Sequence, residues 1–551
     1  MSVLQKIKFN IFKTAAAALA GIISFTGCVE ETFDSSELDL TPDINASVAT
    51  PVGYRTFTMD DFFNPHDQRT IETDENGLLT LIYQTKFETP SFGDIFSIDD
   101  INKNGVVINQ SGEEVVLENI DSQYESIDTT WIGTAITPKL NDSYISEIFI
   151  DQLDFQIITS SVYDVNVAYN VELPTLVQNN NSYEVALEAN GSYSESLEGY
   201  SLTLQEHNGI SNAFPVVVHA VFYPSNSVIP VNAEIMDYDV NFSSINYRTI
   251  FGNFSGYSLE LPANSIDLDI YESIPEGTFH FAHPELTIKT ENTAGLPVGF
   301  DFSNFRMQTW QNDWQPINGE GVPDNNAPWV YQYPAYSNPV SAANDSLTIL
   351  YDEWNFSSHS DSKPEQVTFE SQLHINPYRD PGEQFIHRDS RTTYNLDLKL
   401  PLFGYARFLS LADTMNFLIS DFISKDYEKL EKAYFRFHVT NGFPIGFSLQ
   451  VYLADANQSI VDSLFDQRQV ILPAIQEGNM DEAQNSDPIV AEVDRERFEV
   501  FKQEVTHLIS HVHIQTAGFS ENAPTNIGIY EDQFLDINLG LVLDLNGSST
   551  N

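Results

Sequence analysis

Cysteine is almost missing from this chain. Cys28 is the only one in 551 residues, so no internal disulfide can form and burial alone must hold the fold. Basic residues are scarce as well: 25 Lys and Arg face 79 Asp and Glu, a formal net charge of −54. A surface of that sign repels phosphate backbones and anionic headgroups, which excludes nucleic acid as a partner. No apolar run reaches the roughly 20 residues that a membrane-spanning helix requires. There is no Gly-x-Ser-x-Gly elbow and no phosphate-binding glycine loop. With 79 carboxylates an acid/base pair is available in number, but nothing in the sequence selects one.

What is present begins at the N-terminus. Lys6, Lys8 and Lys13 precede a small and apolar run from Ala15 to Phe25, the layout of a secretory signal. The run ends in Ser24-Phe25-Thr26-Gly27-Cys28, which resembles the lipobox of bacterial lipoproteins. The resemblance implies a signal peptide over residues 1–27 and a lipid on Cys28, which also removes the only thiol. Residues 28–50 are acidic and polar and read as a tether, with Glu30, Glu31 and Asp34 close behind the cysteine. Loss of the leader removes three of the 25 basic residues and no acidic one, so the exported chain is more acidic still.

Beyond residue 50 the dominant period is two. Tyr394-Asn395-Leu396-Asp397-Leu398-Lys399-Leu400 alternates, and so do Ser265–Ile270 and Leu535–Leu545. Alternation puts one side of a strand in a core and the other in water, the mark of antiparallel sheet. Asn-, Gly- and Ser-rich clusters at Asn179–Ser182 and Asn190–Ser192 supply turns. Helical spacing is confined to Val493–Ile509 and Lys425–Lys432. The expected fold is therefore all-β: consecutive antiparallel β-sandwich-like modules with a few short helices. Hydrophobic content of 42% suffices for packed cores, and the length suggests roughly three or four domains. We divide the chain into an N-terminal β module over 51–130, a β module over 131–309, an aromatic-rich connecting region over 310–390 and a C-terminal β module over 391–551.

A repeat supports modularity. Phe254-Ser255-Gly256-Tyr257 and Gly295-Leu296-Pro297-Val298-Gly299-Phe300 return as Phe403-Gly404-Tyr405 and Gly442-Phe443-Pro444-Ile445-Gly446-Phe447. Gly allows a turn and Pro extends the residue before it, so the shared motif reads as a strand corner rather than a reaction site.

Pro401–Tyr405, Ala412-Asp413-Thr414, Asn441–Pro444 and Val461–Phe465 resemble a set of Bacteroidota surface lipoproteins. Pro51–Tyr54, Asp74–Leu78 and Asn376-Pro377 fit the same pattern. The resemblance implies an outer-membrane, surface-displayed location and a modular β architecture. It assigns no activity and no functional residues. Asp128-Thr129-Thr130, Asp345-Ser346-Leu347, Asp413-Thr414-Met415 and Asp462-Ser463-Leu464 resemble the sites that these bacteria glycosylate in exported proteins.

Three patterns are candidate sites. Asp100-Ile101-Asn102-Lys103-Asn104-Gly105 matches the first half of a calcium loop, but Ser111 stands where a bidentate Glu is wanted. His507 and His511 have a zinc-compatible i, i+4 spacing on the expected helix, with His513 beyond, but no Glu follows His507. Neither pattern requires a metal or cofactor. Four of the five tryptophans, Trp310, Trp314, Trp329 and Trp354, fall within 45 residues amid Asn, Asp, Tyr and Pro, a composition suited to stacking on sugars. We read the chain as a non-enzymatic binding or structural module, held to the membrane by the lipid on Cys28, with a glycan or a protein as partner. A glycan-active hydrolase using paired carboxylates and a carrier of an apolar ligand stand as alternatives.

Overall fold

The computed structural model describes residues 46–58, 70–121, 123–134, 143–163, 166–271, 276–416, 430–477, 480–516 and 524–545. Cys28, the leader over 1–27 and the tether up to residue 45 lie outside the described residues. The protein is all-β. Among the described residues helices are few and short, the longest being Arg495–Glu504.

The strands form the same arrangement three times. In the first unit one face has the order Ile101–Ile108, Glu234–Asn253, Tyr144–Ser161, Ser192–Leu197, and the other Tyr124–Gly133, Ile210–Phe222, Val167–Gln178. The second has Leu79–Glu88, Thr392–Pro401, Glu285–Asn292, Ala343–Ile349 over Tyr257–Asp267, Pro364–Ile375, Val298–Thr309. The third has Ala46–Thr58, Phe534–Leu545, Leu430–Asn441, Ile489–Asp494 over Phe403–Asn416, His507–Thr516, Ile445–Ala454. Every one of these pairings is antiparallel. In the first unit the short strand Ser201–Thr203 bonds to both faces and joins them into one continuous sheet.

The first strand of each unit comes from a leading segment that precedes all three, and the order is nested. Ala46–Thr58 completes the last unit, Leu79–Glu88 the middle one and Ile101–Ile108 the first. Neighbouring units also exchange strands. Gln384–His387 from the middle unit pairs with Thr249–Gly252 of the first, and Glu276–Phe281 pairs with the start of Phe403–Asn416 in the third.

The cores follow from the alternation. Tyr394, Leu396, Leu398 and Leu400 are all buried. They meet the opposite face through Phe87–Phe369 and Phe300–Tyr394, with ring centroids 5.7 and 4.9 Å apart. In the first unit Phe214 meets Phe242 at 5.3 Å. Its interior, lined by residues such as Ile148, Leu173 and Phe214, leaves a cavity of only about 10 Å³. A lodged small molecule needs roughly 300 Å³ or more.

The repeated motif sits at equivalent corners. At each, the chain crosses from the four-stranded to the three-stranded face, after Asn292 and after Asn441. Both asparagines are buried, and their side-chain oxygens accept from the backbone N–H two residues on, Ala294 at 2.9 Å and Phe443 at 3.0 Å. An Asx turn of this kind satisfies buried backbone donors where the ladder stops.

The helices differ from expectation. Residues 495–504 are helical, but Val493 lies in the strand Ile489–Asp494 and His507–Thr516 is a strand. Phe498 and Val505 are buried, which explains the helical period. Beyond them, the alternation of Val512, Ile514 and Thr516 into the core makes 507–516 a strand. Of Lys425–Lys432, residues 430–432 open the strand Leu430–Asn441, and 425–429 lie outside the described residues.

Candidate binding face of the middle sandwich

The outer face of Tyr257–Asp267, Pro364–Ile375 and Val298–Thr309 combines amide, hydroxyl and charged side chains with an aromatic one. Ile266, Val367, Phe369, Phe305 and Met307 point into the core. The alternate positions therefore face outward, and they are polar. Two bulges, at Leu261/Asn264 and Phe302/Asn304, break the ladders on either side of Phe369. There the face opens into a cleft of about 260 Å³ lined by Asn264, Ser265, Asn304, Arg306, Gln366, Thr368 and Glu370, with Ala263 and Phe369.

Arg306 sits at the edge of this cleft. Its Nε donates to Thr368 Oγ1 at 3.4 Å, and its guanidinium lies 4.2 Å from the Trp314 ring centroid. Trp314–Pro316 pairs with Arg306–Gln308, which fixes the indole beside the cleft with 41% of its surface exposed. Gln366 Nε2 donates to Asp267 Oδ1 at 2.5 Å. Among the lining residues Glu370 is the single carboxylate, so the cleft does not present two facing carboxyl groups.

The four tryptophans do not converge. Trp310, 52% exposed, lines a separate depression of about 220 Å³ with Asp313, Asp361 and Lys363, whose Nζ is 5.3 Å from its ring centroid. Trp329 is half-buried on a short strand paired with Val298–Phe300. Trp354 is buried between Phe305 and Phe356, and its Nε1 donates to the Pro284 carbonyl at 3.1 Å. It packs the core and offers no face to a ligand.

Next to the Trp310 depression, Asp361 accepts from the Tyr405 hydroxyl at 2.9 Å and lies 3.3 Å from His280 Nδ1. Burial raises the Asp361 pKa, but the hydrogen bonds from His280 and Tyr405 outweigh it and hold the carboxyl below its usual value. Burial, then the bond to Asp361, push Tyr405 up to about 12.

A second polar constellation lies further along the same face. Ser258 Oγ is 2.8 Å from His374 Nδ1, and His374 Nε2 is 2.7 Å from Asp301 Oδ2. Cross-strand register creates it, since Ser258 and Gly299 both pair with His374. Asp301 is 0% exposed. Sequence reading missed all three, because they stand on different strands and no local motif marks them.

Asp100–Gly105 is not a loop: Ile101–Ile108 is a strand, and Asp100 Oδ1 accepts the Ser244 N–H at 3.1 Å. His507, His511 and His513 share the outward side of one strand rather than a helical face. Among the described residues no three His, Cys, Asp or Glu side chains gather in a metal-holding arrangement. Of the hydroxyls in the glycosylation-like motifs, Thr129, Ser346 and Thr414 are exposed, and Ser463 donates to the Phe465 carbonyl at 3.0 Å.

No family model matches the chain, and no curated protein matches it. Among solved structures the chain aligns with a protein of Parabacteroides distasonis considered to be secreted. They are 10% identical over 91% of this chain and 99% of that one, with a TM-score of 0.28. It also aligns with a structure of infectious bursal disease virus, Gt strain, at 7% identity over 89% and 84%, with a TM-score of 0.14. Likeness this weak carries no argument about architecture or function.

Proposed function

We propose that this chain is a lipid-anchored protein of the bacterial outer membrane, displayed at the cell surface, whose middle sandwich binds a polyhydroxylated ligand of the glycan class. The observation that carries the binding reading is the cleft at the paired bulges. Its amides and hydroxyls, Asn264, Asn304, Gln366, Ser265 and Thr368, offer both donors and acceptors, as sugar hydroxyls require. Trp314 adds an apolar face beside them. A single carboxylate in the lining favours binding over glycosidic cleavage there.

The lipobox-like run ending at Cys28 supports the anchor, and Glu30, Glu31 and Asp34 support surface display. With a lipid on Cys28, the nested topology supports an order of the sandwiches from the membrane. Ala46 lies 18 residues beyond Cys28 and begins the strand that completes the third sandwich. The tether spans at most about 60 Å, so the last sandwich stands nearest the lipid and the first is separated from it by the middle one.

A glycan array probed with residues 29–551 tests the binding reading. Retention of a defined glycan set, lost in Trp314→Ala and in Asn304→Ala, is the expected result. Absence of any retained glycan, or retention unchanged in both variants, rejects it.

A further inference from the structure

We propose that Ser258, His374 and Asp301 form a nucleophilic serine site that hydrolyses short acyl esters, independent of ligand binding at the cleft. The three side chains make the two linked hydrogen bonds that such a site requires: nucleophile to base at 2.8 Å, and base to orienting acid at 2.7 Å. A carboxylate only accepts, so the tautomer that fits both contacts has its proton on Nε2 toward Asp301 and leaves Nδ1 to accept from the Ser258 hydroxyl.

Burial is graded along the relay. Asp301 is fully buried, His374 nearly so, and Ser258 is exposed. Pro328 and Pro377 close over the backbone beside His374: a Cβ placed on Gly299 would lie 3.3 Å from Pro328, 3.4 Å from Pro377 and 3.5 Å from the His374 Cβ. Among the described residues Asp301 Oδ1 has no hydrogen-bond partner, so the interaction of this carboxylate is the one its Oδ2 makes with His374. A buried carboxylate in that position stabilises the imidazolium that forms when Nδ1 takes a proton.

In the reaction Ser258 Oγ attacks the acyl carbon while its proton passes to His374 Nδ1. The ester C–O bond breaks and the departing alcohol takes that proton. Water then attacks the acyl-serine and gives a proton to Nδ1; the acyl–Oγ bond breaks, the carboxylic acid leaves, and Nδ1 returns that proton to Ser258 Oγ, which restores the hydroxyl. No oxidant, metal or cofactor enters the balance. An exposed serine on an open sheet face suits a short acyl group on a hydrated carrier, since a long chain gains little without burial.

The test uses residues 29–551 with a fluorophosphonate, whose fluoride a nucleophilic serine displaces, and separately with p-nitrophenyl acetate. The expected result is an adduct mapped by mass spectrometry to the Ser258 peptide, lost in Ser258→Ala. Ester hydrolysis should fall by about 10²-fold or more in Ser258→Ala and in His374→Gln. Ser258 is exposed, so its alanine variant should melt with the wild type and keep the readout free of unfolding. Absence of an adduct at Ser258, or hydrolysis unchanged in a folded Ser258→Ala, overturns the proposal and leaves the three residues as a structural tie.

Discussion

Leu81→Ala tests the nested topology. Leu81 lies on the leading strand Leu79–Glu88, is fully buried, and stands in register with Leu400. If that strand belongs to the middle sandwich, the damage must appear there, about 200 residues or more further along the chain (for Glu285–Asn292, Leu79–Glu88 ends 197 residues earlier). Truncation removes about three methylene equivalents at ~0.8 kcal/mol each. The residual cavity brings the loss to about 3 kcal/mol. At 1.4 kcal/mol per factor of ten, amide exchange limited by opening of that unit should accelerate by about a hundredfold. Hydrogen exchange read by mass spectrometry should show this in 285–292 and 392–401 and leave 144–161 and 234–253 near wild type. Val107→Ala, buried on Ile101–Ile108 opposite Met236, should give the reverse pattern at about 2 kcal/mol. Faster exchange confined to the first sandwich in Leu81→Ala would refute the assignment of strands to units.

Trp354→Ala should destabilise the middle sandwich by about 3–5 kcal/mol, while Trp314→Ala should change its stability by less than about 1 kcal/mol; thermal melts of both distinguish a core residue from a surface one. Asp361 has a folded pKa below its unfolded one, so its contribution is complete above the ordinary carboxylate value and is lost as pH falls through the folded one. Acid titration of wild type and Asp361→Asn should therefore converge in stability at low pH, and a constant difference between them down to the lowest pH would contradict this. Cys28→Ser should fold normally and leave the membrane fraction after a high-salt wash, whereas continued pelleting would show that another element anchors the chain.

The β class was legible because its signal is local: Tyr394 to Leu400 alternates without interruption, and every alternate residue is core. The corners at Asn292 and Asn441 were legible as a repeated motif for the same reason, although their buried Asx turns were not. The nesting was hidden, since nothing in Leu79–Glu88 names Thr392–Pro401 as its partner. The first sandwich lacks the Gly-x-Pro-x-Gly corner, so its kinship with the other two emerges only from strand order. Residues 493–509 misled because a true helical stretch, with Phe498 inward, runs into a strand whose histidines keep a helix-compatible spacing. For the site, proximity in sequence was a poor guide. The tryptophans cluster along the chain and separate in space, whereas Ser258, Asp301 and His374 are far apart in sequence and meet through register.

The most direct test of ligand binding at the middle sandwich is a crystal structure of residues 29–551 with the oligosaccharide that the array retains best. The expected result is sugar density in the cleft at Asn304 and Gln366, with one ring against Trp314. Density at the Trp310 depression or on another sandwich, with this cleft empty, would contradict it.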